Sequence, residues 1–183
     1  MRDILESEGM MSDRKGYVHV YTGNGKGKTT AALGVSLRTL LSGKRVYFAQ
    51  FIKGSDTSEL LLTNYFDEFT IVQYGSGRFV ATRPEAQDIL AARAGLENCR
   101  EILSSGVYDL VVLDEVNIAV YYGFLTVDEV IDALEKRAPH VEVICTGRNA
   151  HPALIDHADL VTEMVKIKHY FTEGVRGRKG IEF

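Results

Sequence analysis

The sequence predicts a three-layer α/β fold in which helices cover both faces of a mostly parallel sheet. Short segments rich in β-branched and aromatic residues alternate with longer segments of helical periodicity. Several of the β-rich segments are nearly continuous apolar runs, which is typical of strands covered on both faces. In addition, a glycine-rich loop joins the first predicted strand to the first predicted helix.

Each predicted strand is a short β-rich run flanked by turn-forming residues. The strands are, in chain order, Tyr17–Tyr21, Arg45–Phe51, Phe69–Tyr74, Asp109–Leu113, Val141–Cys145 and Leu160–Met164. The helices predicted between them are Thr29–Leu41, Pro84–Leu103 and Thr126–Lys136. In the last helix Thr126 stands three residues before Glu129, which is the spacing of a capping box. The segment 53–66 favours neither helix nor strand.

Length and composition are those of one ordinary domain, with 183 residues of which 45% are apolar and 25% charged. We expect residues 1–15 to form a polar leader and residues 16–183 to form a single domain.

The net charge of −4 argues against nucleic-acid binding, which needs an excess of Lys and Arg. Cys99 and Cys145 lack metal-ligand spacing. With no apolar run long enough to span a membrane, we expect a cytoplasmic protein.

The first strand leads into the segment 22–30, TGNGKGKTT, and then into the first helix. This order of strand, glycine loop and helix is the context of a Walker A phosphate loop. Glycines let successive backbone N–H groups point at phosphate oxygens, and the helix N-terminus adds partial positive charge. We expect Lys28 to contact the phosphates and the Thr29 hydroxyl to bind Mg²⁺. Thr22 replaces the first glycine of the usual pattern, and Lys26 faces either phosphate or solvent.

A second motif, DLVVLDE at residues 109–115, is an apolar strand that ends in two carboxylates. It has the form of a Walker B segment, in which an acid at the strand tip holds the metal directly or through water. Asp114 and Glu115 are therefore expected beside the phosphate loop, at the carboxyl end of the sheet. Together the motifs predict a P-loop NTPase-like (RecA-like) domain that binds ATP with Mg²⁺, but they do not decide the reaction.

Further segments of the sequence narrow the choice of reaction. These are AQFIKG at 49–54, DLVVLDEVNIAVYYGFL at 109–125, TGRNAHPALIDHADLVTEM at 146–164 and the ending VKIKHYFTEGVRGRKGIEF. Together with the phosphate loop they resemble the P-loop-type corrinoid adenosyltransferases, from about Tyr17 to Phe183. The phosphate loop is widely shared among proteins, whereas QFIKG, the TGRN block and the ending are far more diagnostic.

The resemblance implies a reaction of adenosylcobalamin biosynthesis or salvage, in which Co(I) of a reduced corrinoid attacks the 5′ carbon of ATP and inorganic triphosphate leaves. It implies ATP and a corrinoid (cobalamin, cobinamide or cobyrinic acid a,c-diamide) as substrates, Mg²⁺ or Mn²⁺ as the metal, a flavoprotein reductant and a homodimer. Because Co(I) is a strong nucleophile, no side chain has to activate it. The protein aligns the reacting atoms and neutralises the triphosphate.

The resemblance also carries roles over to positions of this sequence. The ATP loop comprises Gly23, Asn24, Gly25, Lys26, Gly27, Lys28, Thr29 and Thr30. Thr29 and Glu115 are implied as metal ligands with Asp114 beside them, and catalysis is implied for Lys28, Thr29 and Glu115.

Two further residues have weaker support from the resemblance. Arg38 in the first helix is implied as a nucleotide contact, although arginines at such positions are as often solvated. Phe79 is implied beneath the corrin, where aromatic side chains of the family expel the lower axial ligand of cobalt. A phenylalanine in a glycine loop is equally compatible with packing on the core.

Two other functions are compatible with the phosphate loop. In a nucleotide kinase or ATPase, Glu115 would orient water or an acceptor hydroxyl. In a nucleotide-gated binding protein, the chain would deliver a cofactor without chemistry. The products distinguish these functions from adenosyl transfer, since ADP with orthophosphate indicates a kinase or ATPase and unchanged ATP indicates a binding protein.

Overall fold

The computed structural model describes residues 15–54, 57–75 and 85–183. In this part of the chain six strands form one sheet: β1 Val18–Thr22, β2 Val46–Phe51, β3 Phe69–Tyr74, β4 Leu110–Asp114, β5 Glu142–Thr146 and β6 Leu160–Glu163. All pairings are parallel, and the strand order is β3-β2-β4-β5-β1-β6. The six predicted strands are confirmed, each to within one residue at either end.

Five α-helices connect the strands in the described residues: α1 Lys28–Leu41, α2 Ala86–Ser105, α3 Val116–Tyr121, α4 Val127–Glu135 and α5 Pro152–His157. Two 3₁₀ helices, Ser58–Asn64 and Tyr170–Glu173, complete the described elements. The three predicted helices are confirmed, the 3₁₀ helix at 58–64 lies in the ambiguous segment, and the short helices α3 and α5 had not been predicted. Among these ranges, each helix is too short or too polar to cross a lipid bilayer.

Two apolar clusters on opposite faces of the sheet confirm the three layers. In β4, Val111 and Leu113 belong to the cluster that contains α2, α3, α4 and α5, whereas Leu110 and Val112 belong to the cluster that contains α1. Because successive strand residues point to opposite faces, a strand covered on both sides needs an apolar residue at every position. That requirement explains the continuous apolar runs of the sequence.

The strand order determines where the functional loops meet. Strand β5 lies between β1 and β4, with Val143 paired to both Val18 and Val111. Since all three strands are parallel, their carboxyl ends lie at one edge of the sheet. Thr22, Asp114 and Thr146, the last residues of β1, β4 and β5, therefore come together there.

The capping box of α4 gives a prediction about stability. The Thr126 Oγ1 atom accepts a hydrogen bond from the Glu129 N–H at 3.2 Å, and the Glu129 Oε2 atom accepts one from the Thr126 N–H at 2.7 Å. Thr126→Ala removes the first bond, so we expect urea denaturation to show a loss of about 1 kcal/mol of unfolding free energy. The control, Ser104→Ala, removes an exposed hydroxyl that donates to the Glu101 carbonyl oxygen within its own helix. Equal stability of the two variants would contradict the role given to the cap.

Candidate active site

The phosphate loop, residues 23–27, joins β1 to α1 and needs its glycines. Gly23 and Gly27 have φ angles of 93° and 117°, in the left-handed region that side chains disfavour. A Cβ atom on Gly23 or on Gly25 would lie 2.6 Å from the Met164 carbonyl oxygen, too close for any packing. The Gly25 N–H donates to that same oxygen at 2.6 Å. The loop is therefore held against the segment that follows β6.

The threonine at position 22, where the usual Walker A pattern has its first glycine, has a structural reason. Thr22 is the last residue of β1, and its hydroxyl oxygen accepts a hydrogen bond from the Ala150 N–H at 3.2 Å. Glycine has no hydroxyl and would leave this N–H without its partner. The threonine thus ties the phosphate loop to the turn after β5.

Lys28 begins α1 with a buried side chain. Its Nζ atom donates to the carbonyl oxygens of Gly23 and Gly25, both at 2.8 Å. Burial lowers the pKa of Lys28, and the charge of Arg148 acts in the same direction, while Glu115 opposes the shift. No side chain caps the N-terminus of α1, which begins after Gly27. Its first N–H groups are thus open to an anion bound in the loop.

Asp114 is the centre of a buried polar cluster at the tip of β4. Its Oδ1 atom accepts hydrogen bonds from Thr29 Oγ1 at 2.8 Å and from Thr146 Oγ1 at 2.6 Å. Its Oδ2 atom accepts from Lys53 Nζ at 2.8 Å. The side chain is fully buried, so its charge is matched by the Lys53 ammonium. The phosphate loop and the Walker B strand are joined directly through Thr29 and Asp114.

Glu115 follows with a left-handed backbone at φ 62°. This conformation is uncommon for a residue other than glycine and is concentrated at functional sites. The Glu115 N–H donates to Thr146 Oγ1 at 3.0 Å, and its side chain lines the cleft above the loop. Burial raises the pKa of Glu115, and the neighbouring Asp114 raises it further, whereas Lys53 and Lys28 lower it.

Lys53 is a site residue that the sequence analysis did not identify, although it belongs to the diagnostic QFIKG segment. It follows Ile52, whose φ of 68° is exceptional for a β-branched residue. The turn at Ile52 brings the Lys53 ammonium to Asp114 and within 3.8 Å of Glu59 Oε1. Burial alone would lower the pKa of Lys53, but Asp114 and Glu59 outweigh it and raise the pKa above its ordinary value.

A cleft of about 630 Å³ lies over the phosphate loop. Its lining includes Lys28, Thr29, Thr30, Lys53, Glu115 and Arg148. The tail, residues 164–183, also lines the cleft and contributes Lys166, His169 and Glu182. With Lys26 included, five Lys and Arg side chains line this cleft.

Lys26 is exposed, and it binds the tail. Its Nζ atom donates to the Ile181 carbonyl oxygen at 2.7 Å and to Glu182 Oε1 at 3.0 Å. Arg178 and Tyr170 also donate to the Glu182 carboxylate, and together these bonds hold its pKa far below the ordinary value. A phosphate that approaches Lys26 therefore has to compete with Glu182.

The structure brings most of the predicted site residues together. Gly23, Asn24, Gly25, Lys26, Gly27, Lys28, Thr29, Thr30, Asp114 and Glu115 all lie in or directly under the cleft. Arg38 does not join them: it is exposed on α1, about 15 Å along the helix from Lys28. Its nucleotide contact stays a prediction. Phe79 lies outside the described residues, and its corrin contact likewise stays a prediction.

The oxygen atoms under the cleft fit Mg²⁺ bound together with a polyphosphate. In the described ranges no cluster of three or more His, Cys, Asp or Glu side chains is placed to hold a metal alone. Thr29, Asp114 and Glu115 instead offer a hydroxyl and two carboxylates at one place. Mg²⁺ is commonly held by one or two carboxylates with phosphate oxygens and water supplying the other ligands.

Comparison with known proteins identifies the family. The model of the family "ATP:corrinoid adenosyltransferase BtuR/CobO/CobP" matches residues 14–183. The chain belongs to this family. As a member, it is a transferase that adenosylates corrinoids with ATP, as the sequence resemblance had implied.

Individual relatives in the corrinoid adenosyltransferase family are similar in sequence to this chain over most of their length. A corrinoid adenosyltransferase of Sinorhizobium is 39% identical over 94% of this chain and 82% of the relative. Corrinoid adenosyltransferase CobA of Salmonella typhimurium is 39% identical over 93% of this chain and 87% of the relative. A solved structure of the RadB recombinase matches with a TM-score of 0.54 at 18% identity, covering 85% of this chain and 77% of that one. This likeness confirms the predicted fold class.

Proposed function

We propose that the chain uses its phosphate loop to hold the triphosphate of ATP while the Co(I) centre of a reduced corrinoid attacks the 5′ carbon, so that inorganic triphosphate is released. The observation that carries the proposal is the meeting of Lys28 and Thr29 with Asp114 and Glu115 under one cleft. In a corrinoid adenosyltransferase these groups are suited to a polyphosphate leaving group rather than to activation of a side-chain nucleophile.

The chain's own residues contribute alignment and charge. The N–H groups at the uncapped start of α1 and the Lys28 ammonium are placed to bind phosphate oxygens, and they fix the triphosphate relative to the sheet. As the bond between the 5′ carbon and oxygen breaks, negative charge accumulates on the triphosphate. Fixed positive groups that are already oriented stabilise this charge without reorganising, which lowers the barrier.

Mg²⁺ is part of the proposal, with Thr29, Asp114 and Glu115 as the residues that would hold it. Their oxygen atoms converge beside the phosphate loop. When bound, the metal supplies further positive charge to the leaving group. Lys53 keeps its contact with Asp114 Oδ2 and thereby orients the carboxylate.

Other features of the reaction rest on the family resemblance. We include in the proposal a nucleotide contact by Arg38, an aromatic contact of Phe79 beneath the corrin, a flavoprotein electron donor and a homodimer. Cobalamin, cobinamide and cobyrinic acid a,c-diamide are all candidate acceptors. Light scattering of the purified chain tests the dimer, and comparison of the three corrinoids as substrates ranks the acceptors.

The proposed function is tested by following the adenosine group of ATP. The protein is incubated with Mg²⁺, chemically reduced cobalamin and ATP radiolabelled in its adenosine. We expect the label to appear in a light-sensitive alkylcorrinoid, in an amount equal to the corrinoid consumed. Label that appears in ADP would favour a kinase or ATPase, and label that remains in ATP would favour a binding protein.

A further inference from the structure

The turn after β5, residues 147–150, presents a single arginine to the cleft. Its backbone is held on three sides: the Gly147 N–H donates to the Tyr21 carbonyl oxygen at 3.1 Å, the Asn117 side-chain amide donates to the Gly147 carbonyl oxygen at 3.1 Å, and the Ala150 N–H donates to Thr22. The turn is thus attached both to the strand that precedes the phosphate loop and to the helix that follows the Walker B strand.

The residues on either side of Arg148 have positive φ angles. Gly147 has a φ of 130° and Asn149 a φ of 56°, so Arg148 stands between two left-handed residues. A Cβ atom on Gly147 would lie 3.0 Å from the Asn117 Cβ atom and 3.3 Å from Glu115 Oε2. The turn therefore packs directly over the Glu115 carboxylate. Glycine and asparagine adopt such angles at little cost, so the turn is held by its hydrogen bonds and packing.

Arg148 and Lys166 are the Lys and Arg side chains of the cleft that have no hydrogen bond or ion pair in the described part of the chain. Lys26 is bound to Glu182, Lys28 to carbonyl oxygens of the loop, and Lys53 to Asp114. The Arg148 side chain lines the cleft and is exposed, and its charge acts on the pKa values of both Lys28 and Glu115. A rigid backbone thus carries an uncommitted guanidinium into the space above the phosphate loop. Lys166, on the tail, lacks such a support.

We propose that Arg148 is a further catalytic residue, whose guanidinium contacts the triphosphate of ATP and stabilises it as it leaves. This inference rests on the proposed function. In the reaction the electron pair of Co(I) forms the bond to the 5′ carbon, which leaves cobalt as Co(III). The electron pair of the broken carbon–oxygen bond stays on the triphosphate, where Arg148 neutralises it. Planar donors matched to phosphate oxygens make arginine better suited to this contact than a lysine.

The test compares Arg148→Ala and Arg148→Lys with the wild type on pre-reduced cobalamin. Arg148→Ala is expected to lower kcat by about 100-fold, the size of effect seen when one donor to a developing anion is removed. Arg148→Lys is expected to recover only part of this loss. The affinity for inorganic tripolyphosphate with Mg²⁺, measured by calorimetry, should weaken by about 10-fold in Arg148→Ala, because the contact is to the phosphates.

Arg93→Ala is the matched control, since Arg93 is an exposed arginine on α2 outside the cleft. Because Arg148 is exposed and unpaired, its variants should unfold at the wild-type temperature. Wild-type kcat in Arg148→Ala, or a loss that Arg93→Ala shares, would overturn the role of Arg148 while leaving the proposed function intact. If the wild type itself forms no adenosylcorrinoid, the proposed function fails, and unchanged tripolyphosphate affinity of Arg148→Ala would still overturn the phosphate contact separately.

Discussion

Replacing Lys28 with alanine is expected to lower the turnover of adenosyl transfer by about 100-fold to 1,000-fold. The ammonium is buried at the start of α1 and reaches the centre of the phosphate loop, where it donates to Gly23 and Gly25. Among the described residues, no other Lys or Arg side chain donates to the carbonyl oxygens of the phosphate loop. Turnover is measured as the rate of alkylcorrinoid formation from pre-reduced cobalamin, so that cobalt reduction does not limit the rate.

Two further variants separate the effect of the Lys28 charge on turnover from its effect on folding. Lys28→Gln keeps a donor for the carbonyl oxygens of Gly23 and Gly25 but removes the charge, so it should be nearly as inactive as Lys28→Ala and more stable. Lys136→Ala removes an exposed lysine that caps the C-terminus of α4 and pairs with Asp132, and it should be fully active. Near-normal turnover in Lys28→Gln would show that the charge of Lys28 has no part in catalysis.

Asp114→Asn is expected to damage both stability and activity. The substitution places an amide beside Lys53 and Thr29 and leaves the partly buried Lys53 ammonium without its closest counter-charge. Breaking a buried ion pair by removing one partner costs about 3 kcal/mol of unfolding free energy. We also expect turnover to fall by about 100-fold and the Mg²⁺ concentration for half-maximal rate to rise, since a carboxylate ligand is lost.

Asp109→Asn provides the matched control at the opposite end of the same strand. The Asp109 carboxylate accepts a hydrogen bond from the Arg45 N–H at 3.0 Å and lies far from the phosphate loop. This variant should keep the wild-type Mg²⁺ requirement, whatever its stability. If Asp114→Asn also keeps the wild-type Mg²⁺ requirement and turnover, Asp114 does not belong to the metal site.

The strands and the motifs could be predicted from the sequence because both depend on local pattern. Continuous apolar runs locate β4 and its neighbours, and the glycines of the phosphate loop reflect backbone angles that only glycine adopts readily. The helix α3 escaped prediction because it is six residues long and begins directly after the Walker B acids, without a side-chain cap.

The remaining parts of the site depend on contacts between distant positions. Lys53 bonds to Asp114 across 61 residues, and Lys26 bonds to Glu182 across 156. Neither partner can be recognised from spacing, because the sheet order and the path of the tail bring them together. Arg148 was visible within the TGRN block, but its lack of a partner becomes apparent only when the cleft is assembled.

Identification of the phosphate product by phosphorus NMR tests most directly whether the loop holds a triphosphate as leaving group. The protein is incubated with ATP, Mg²⁺ and pre-reduced cobalamin, and each phosphate species is counted against the alkylcorrinoid formed. We expect one molecule of inorganic triphosphate for each alkylcorrinoid, and no ADP. Formation of ADP with orthophosphate, or of alkylcorrinoid without triphosphate, would contradict the reaction proposed for this site.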